Sequence, residues 1–219
     1  MTVKLNHYWT IGSIRKNDYE KFIINDFVPG VNRLGVHTVA GWSVMVGAYS
    51  EIIIETVAAD LDLLENALRN PGYQQLKSSL LNYIRKYKTK VLINTDKKNA
   101  YSTDILDDSV KFNQMWDVLG DQKEAYDRYT TEVFYPTLEE LGITVAQEWE
   151  VLIGDGPRII CEGRVNDISK LVSNLQTKKF REAKQGLKSY VENYESRLLS
   201  LHLQKVKGDK SASYNIIGD

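Results

Sequence analysis

Residues 19–42, YEKFIINDFVPGVNRLGVHTVAGW, return as residues 126–149, YDRYTTEVFYPTLEELGITVAQEW. Tyr19 stands opposite Tyr126, Phe27 opposite Phe134, Pro29 opposite Pro136, Leu34-Gly35 opposite Leu141-Gly142 and Trp42 opposite Trp149, all at an ungapped offset of 107 residues (126 − 19). The offset continues beyond the stretch, pairing Trp9 with Trp116, Gly47 with Gly154, Ile52-Ile53 with Ile159-Ile160, Glu55 with Glu162, Asp60 with Asp167, Tyr83 with Tyr190 and Tyr87 with Tyr194. Repeats this long are structural halves rather than the short stacked units of a solenoid, so any fold of this chain must contain two related parts.

Each half repeats one pattern of elements. Val3 to Ile11 alternates as a strand; Asn17-Asp18 offers an N-cap for a helix from about residue 19, which Pro29 interrupts and Leu34-Gly35 ends. A strand over 36–48, a turn at Tyr49-Ser50 and a strand over 51–57 follow. Leu61, Leu64, Leu68, Leu76, Leu80 and Tyr83 then read as a helical stripe from 60 to about 92, divided at Asn70-Pro71-Gly72, with a short strand over 90–94. The first half is placed at 1–94, a polar linker at 95–109, the second half at 110–203 and a weakly patterned tail at 204–219. In the second half the helical stretch is expected from about 168 to 202, broken near Thr177.

A strand-helix-strand-strand-helix-strand unit is the ferredoxin-like split βαβ motif, whose antiparallel sheet carries helices on one face only. The bare face must be covered, and the second copy of the sheet can cover it. The expected class is therefore α+β, two tandem ferredoxin-like repeats closing on each other. This order resembles the dimeric α+β barrel superfamily, with one chain supplying both halves. The first half is similar to NIPSNAP-like domains in its helix with Pro29 and Leu34-Gly35, in Gly41-Trp42, and in Asn70-Pro71-Gly72-Tyr73; the second half has Thr177-Lys178-Lys179-Phe180 in that last place. The resemblance implies either a small-molecule binder or cofactor-independent enzyme, monooxygenase- or isomerase-like, using the barrel cavity, or a non-catalytic NIPSNAP-like scaffold.

With 42% hydrophobic and 26% charged residues and a net charge of −1, the chain has the composition of a soluble globular protein and no basic field for nucleic acid. The single cysteine, Cys161, allows no internal disulfide or cysteine metal cage and reads as a small buried hydrophobe. His7, His37 and His202 lack metal-ligand spacing, and no phosphate-binding loop, nucleophile elbow or zinc helix occurs, so neither metal nor cofactor is expected. No apolar run approaches the roughly 20 residues that span a bilayer. The start MTVKLNHYW lacks the regions of a signal peptide, which reads as cytoplasmic, a leader removed upstream being the other reading.

Chemistry is sought inside the barrel. Strand alternation puts Trp42, Val44, Val46, Ile52 and Ile54 on one face, with Trp149, Val151, Ile153, Ile159 and Cys161 as their counterparts, and that apolar face is expected to meet the helices. The opposite, interior face then carries His37, Ser43 and Glu55, and Glu148, Glu150, Glu162 and Arg164. Glu55 and Glu162 are the candidate acid–base pair, and the others are candidate ligand contacts. Arg164 is two residues from Glu162, whereas Val57 holds that place beside Glu55, so Glu55 is expected to have the higher pKa. The expected partner is a small apolar or aromatic molecule, with association of two copies left open. Tyr83/Tyr87 and Tyr190/Tyr194, four apart, are expected on one helical face.

Overall fold

A computed structural model describes residues 2–11, 16–47, 51–98, 110–165, 167–206 and 213–217. The expected turn at Tyr49-Ser50 and residues 99–109 of the expected linker lie outside the described residues. The first half runs β1 (Val3–Ile11), α1 (Lys16–Phe22), α2 (Val28–Arg33), β2 (His37–Val46), β3 (Ile52–Ala58), α3 (Leu61–Arg69), α4 (Pro71–Leu80) and β4 (Ile84–Asn94). The second runs β5 (Val110–Val118), α5 (Lys123–Tyr129), α6 (Tyr135–Glu140), β6 (Thr144–Ile153), β7 (Ile159–Val165), α7 (Ile168–Leu175), α8 (Lys178–Leu187) and β8 (Val191–Lys205), and a short β9 (Tyr214–Ile216) follows.

The prolines act as expected, but by widening a helix rather than breaking it. A π-turn joins α1 to α2 over Ile23–Phe27 and α5 to α6 over Thr130–Phe134, closed by Val28 N–H on the Ile23 carbonyl and Tyr135 N–H on the Thr130 carbonyl. Proline lacks the N–H that the preceding turn would use, and the five-residue spacing just before Pro29 and Pro136 accommodates that loss. Helix α1 already begins at Lys16, which places Asn17 and Asp18 inside its first turn instead of at the cap. The later helices have side-chain caps at equivalent positions. Asp60 and Asp167 accept from the N–H groups of Leu63 and Lys170, and Asn70 and Thr177 from those of Gly72 and Phe180.

The expected helices over 60–92 and 168–202 stop early. Leu80 and Leu187 are their last helical residues, and the chain then enters β4 and β8. Tyr87 and Tyr194 are strand residues, stacked on Trp9 and Trp116 respectively. Each strand is irregular at one equivalent place, Lys86 and Asn193 having φ of 54° and 53°. Such a bulge blurs the two-residue alternation that would otherwise mark a strand.

Sheet order is β2-β3-β1-β4-β6-β7-β5-β8-β9, and β2 also pairs with β8. The last strand of each half crosses over: β4 pairs with β1 and with β6, and β8 with β5 and with β2. The sheet thereby closes into a barrel with the helices outside, as a tandem dimeric α+β barrel requires. Two outer cores lie between sheet and helices, one around Trp9, Tyr19, Phe27 and Leu80, the other around Trp116, Tyr126, Phe134 and Leu187. Strand β9 extends β8 and adds Tyr214 to the first outer core, its hydroxyl donating to the Thr38 carbonyl at 2.8 Å.

Candidate functional site

At the barrel centre the duplication brings four charged side chains together. Glu55 and Glu162 do face inward, and so do Lys4 and Lys111, which are related by the same offset. Lys4 Nζ is 3.0 Å from Glu55 Oε1 and also bonds Glu162 Oε1; Lys111 Nζ is 2.8 and 2.7 Å from the two Glu55 oxygens and 3.4 Å from Glu162 Oε2. Each ammonium also lies over an indole of the opposite half, Lys4 at 5.0 Å from the Trp149 ring and Lys111 at 4.6 Å from the Trp42 ring. All four groups are buried and their charges cancel. Burial alone would raise the Glu55 pKa, but Lys111 and then Lys4 outweigh it and hold the carboxyl well below the usual carboxylate range. The expectation of a raised pKa at Glu55 is thus reversed, because its counter-ions come from β1 and β5 and not from its own strand.

Trp42 and Trp149 are inside the barrel rather than beneath the helices. The register shifts between Thr38 and Ala40, and again between Val145 and Gln147, which inserts one residue in β2 and in β6 and turns every later side chain over. Trp42 consequently pairs with Ile53 and Trp149 with Ile160, both on the interior face. Tyr8, Val39, Leu199 and Leu201 fill the interior around Trp42, and Leu92, Met115 and Val151 around Trp149.

The same shift redistributes the expected ligand contacts. Ser43 pairs with Ile52 and faces the helices, and His37 is exposed at the start of β2. Glu148 pairs with Cys161 and turns toward the helices, and Glu150, paired with Ile159, is exposed on that side. Arg164 keeps the interior parity, half-buried near the end of β7, and Glu162 bonds the ammoniums of Lys4 and Lys111 from β1 and β5.

Turned outward, Glu148 becomes the centre of a second polar cluster. It is fully buried, and its Oε2 accepts from the hydroxyls of Tyr126, at 2.7 Å, and Tyr135. Trp116 Nε1–H donates to the Tyr126 hydroxyl at 3.0 Å. Lys97 Nζ is 2.9 Å from Glu148 Oε1 and 2.7 Å from Asp127 Oδ1, and lies 3.9 Å from the centroid of the Tyr126 ring. Burial first, then the neighbouring carboxylate, pushes the Tyr126 phenol well above its usual range; burial likewise keeps the Tyr135 phenol protonated. Lys97, Tyr126, Asp127 and Glu148 of this cluster line a cleft of about 740 Å³, together with Lys123, Arg128, Glu150 and Arg158. Among the described residues no group of three His, Cys, Asp or Glu side chains comes together to hold a metal.

This cluster belongs to one half only. Gly41 occupies the place equivalent to Glu148 and Val28 that of Tyr135. A Cβ on Gly41 would come within 2.6 Å of both Ile54 Cδ1 and Leu203 Cβ, so β3 and β8 close the space that a side chain would need. Lys97 falls inside the stretch expected to be linker, and the repeat has Val28, not a tyrosine, opposite Tyr135. Neither is marked in the sequence, whereas the duplication marks Tyr126 and Trp116.

No family model matches the chain, and no curated protein matches it. Solved structures do. A monooxygenase-like protein of Fusobacterium nucleatum aligns over 99% of this chain and 95% of its own at 11% identity, with a TM-score of 0.65. An anthrone oxidase-like protein aligns over 91% of each chain at 9% identity, with a TM-score of 0.58. At these identities the likeness is one of fold, and it spans both halves. A NIPSNAP family protein of Agrobacterium tumefaciens aligns over 44% of this chain and 95% of its own at 16% identity, with a TM-score of 0.38.

Proposed function

We propose that this chain binds a small aromatic molecule bearing a hydroxyl or carbonyl group in the second-half cleft, and acts on it as a monooxygenase-like enzyme without an organic cofactor. The observation that carries this reading is Glu148, a buried carboxylate held by two phenols and an ammonium on the wall of a cleft, where the other half has glycine. Burying such a group costs several kcal/mol unless it is fully partnered, so packing alone gives no reason for the cluster. In this reading Lys97 stabilises negative charge developing on a substrate oxygen, and the Glu148 carboxylate orients Lys97 and takes up the substrate proton by way of the Tyr126 hydroxyl, which donates to it. The names of the two structural neighbours above lend support of the same kind, oxidation of a small molecule on this fold. Glu55 and Glu162 are given a structural role here, since both are saturated by ammonium groups.

The test is a titration of isotope-labelled protein with anthrone and a panel of simple phenols, followed by NMR, with oxygen uptake measured alongside. Shifts should concentrate at Lys97, Tyr126 and Glu150. Glu148→Gln should lower turnover by about a hundredfold, the usual scale for a proton-transfer group. Shifts confined to other surfaces, or full turnover in Glu148→Gln, would discard the reading. The second reading, a non-catalytic scaffold, is favoured by the closed ion cluster and filled barrel interior. It expects no saturable small-molecule binding at all.

A further inference from the structure

One end of the barrel breaks the pseudo-symmetry in its charges. Lys90 and Arg197 are equivalent under the 107-residue offset, and the stem of each runs against the hairpin glycine of the other half. A Cβ on Gly154 would lie 2.8 Å from Lys90 Cγ, and one on Gly47 would lie 3.0 Å from Arg197 Cγ. Arg197 has a counter-ion, its Nη1 donating to Glu51 Oε2 at 2.8 Å. The residue equivalent to Glu51 is Arg158, so the repeat offers Lys90 a cation where Arg197 receives a carboxylate.

Lys90 is 8% exposed and forms no ion pair among the described residues. Its ammonium lies 5.9 Å from the Tyr8 ring centroid, and that of Lys88 lies 5.4 Å from the same ring. Lys88 in turn is 3.1 Å from Glu51 Oε1, so Glu51 links it to Arg197. Glu195, half-exposed and 3.9 Å from Arg197, is the other acid facing the group. Three cations thus meet two carboxylates, and the excess positive charge falls on the most enclosed ammonium. The hairpin that covers Lys90 approaches it closely because Gly154 has no side chain, and the ammonium reaches Gly156, where a Cβ would be 3.5 Å from Lys90 Nζ. Asp155 between them is exposed. Burial, then the charges of Lys88 and Arg197, holds the Lys90 pKa below that of an ordinary lysine.

We propose that this end of the barrel binds a small oxyanion, a carboxylate or phosphate group, on the cations Lys88, Lys90 and Arg197. An anion there supplies the counter-charge that the duplication removed, and charge-assisted bonds to a partly desolvated ammonium are stronger than those in water. Binding should weaken as pH rises through the lowered Lys90 pKa, because the neutral amine loses its attraction.

The experiment is a calorimetric titration of the full chain with inorganic phosphate and, separately, acetate, in dilute chloride buffer. Wild-type protein, Lys90→Gln and Lys178→Gln are compared, the last removing a solvent-exposed charge elsewhere. One saturable site for at least one of the anions is expected, at least tenfold weaker in Lys90→Gln and unchanged in Lys178→Gln. Saturation by phosphate alone assigns a phosphate group, and saturation by acetate assigns a carboxylate. Lys90→Gln should melt no lower than wild type in the absence of anion, since it deletes an uncompensated charge, and the anion should raise the melting temperature of wild type only. Failure of both anions to saturate wild type, or equal affinity in Lys90→Gln, overturns the proposal.

Discussion

Removing one carboxylate from the barrel centre leaves two buried ammonium groups facing a single counter-charge. Glu55→Gln should therefore destabilise the fold by about 3–5 kcal/mol, as breaking a buried pair usually does. Replacing all four of Lys4, Lys111, Glu55 and Glu162 by apolar residues of similar volume should recover most of that loss, which chemical denaturation of the two variants would reveal. The outcome against this is a Glu55→Gln protein as stable as wild type. The pairing of Glu55 with Glu162 was legible in the repeat, and Lys4 with Lys111 stood at the same offset. The lysines were not picked out, since lysine in a strand ordinarily marks a solvated face. His7 makes a second residue-scale case. Burial, then Lys77, lowers its pKa from 6.5 to about 3, and its Nδ1 lies 3.0 Å from the Tyr87 hydroxyl. The folded state excludes a proton that the unfolded chain takes up, so this stability is complete above pH 6.5 and is lost as pH falls toward 3. Gln114 holds the equivalent place and accepts from Tyr194 at 2.7 Å, so His7→Gln should fold and should lose less melting temperature between neutral pH and pH 4 than wild type. An unchanged pH dependence would count against it, allowing for His202, whose pKa burial also lowers, to about 4.

At the scale of elements, the order of strands and helices was readable because Pro29/Pro136, Asp60/Asp167 and the paired tryptophans recur in step. Two kinds of event were not readable. Leu76, Leu80, Tyr83 and Tyr87 continue a helical spacing across the point where α4 gives way to β4, since the apolar positions of a strand edge can mimic that period over so short a run. The bulges in β2 and β6 leave no composition signal, yet they invert the two faces and move Glu148 from the barrel to the cleft. The seam between β2 and β8 gives a direct check. Gly41→Ala places a methyl group 2.6 Å from Leu203 Cβ, close to the backbone of β8, and should cost about 1–3 kcal/mol in thermal or denaturant unfolding. No loss there would mean that the two strands are not in this register.

At the scale of the molecule, closure is achieved by strand exchange: each half donates its last strand to the sheet of the other, and the central ion cluster spans both halves. A fold held this way fills its interior with the ion cluster and apolar side chains, and the proposed ligand site lies outside the barrel, in the cleft beside Glu148. The duplication then lets the halves diverge. Around Gly41 the first half is closed by β8 and carries Tyr214 of the tail in its outer core, whereas at the equivalent place the second has Glu148, paired with Lys97 beside a cleft. The architecture was legible in the repeat, but this difference between the halves was not, because it depends on bulges and on a lysine from the expected linker. Soaking crystals of the protein with a phenol and hydroxyaryl-ketone fragment library, and locating the bound fragments by electron density, tests the proposed second-half site most directly. Density is expected in the cleft against Lys97 and the Tyr126 edge; fragments found only in the barrel interior beside Glu55 and Glu162 would contradict it.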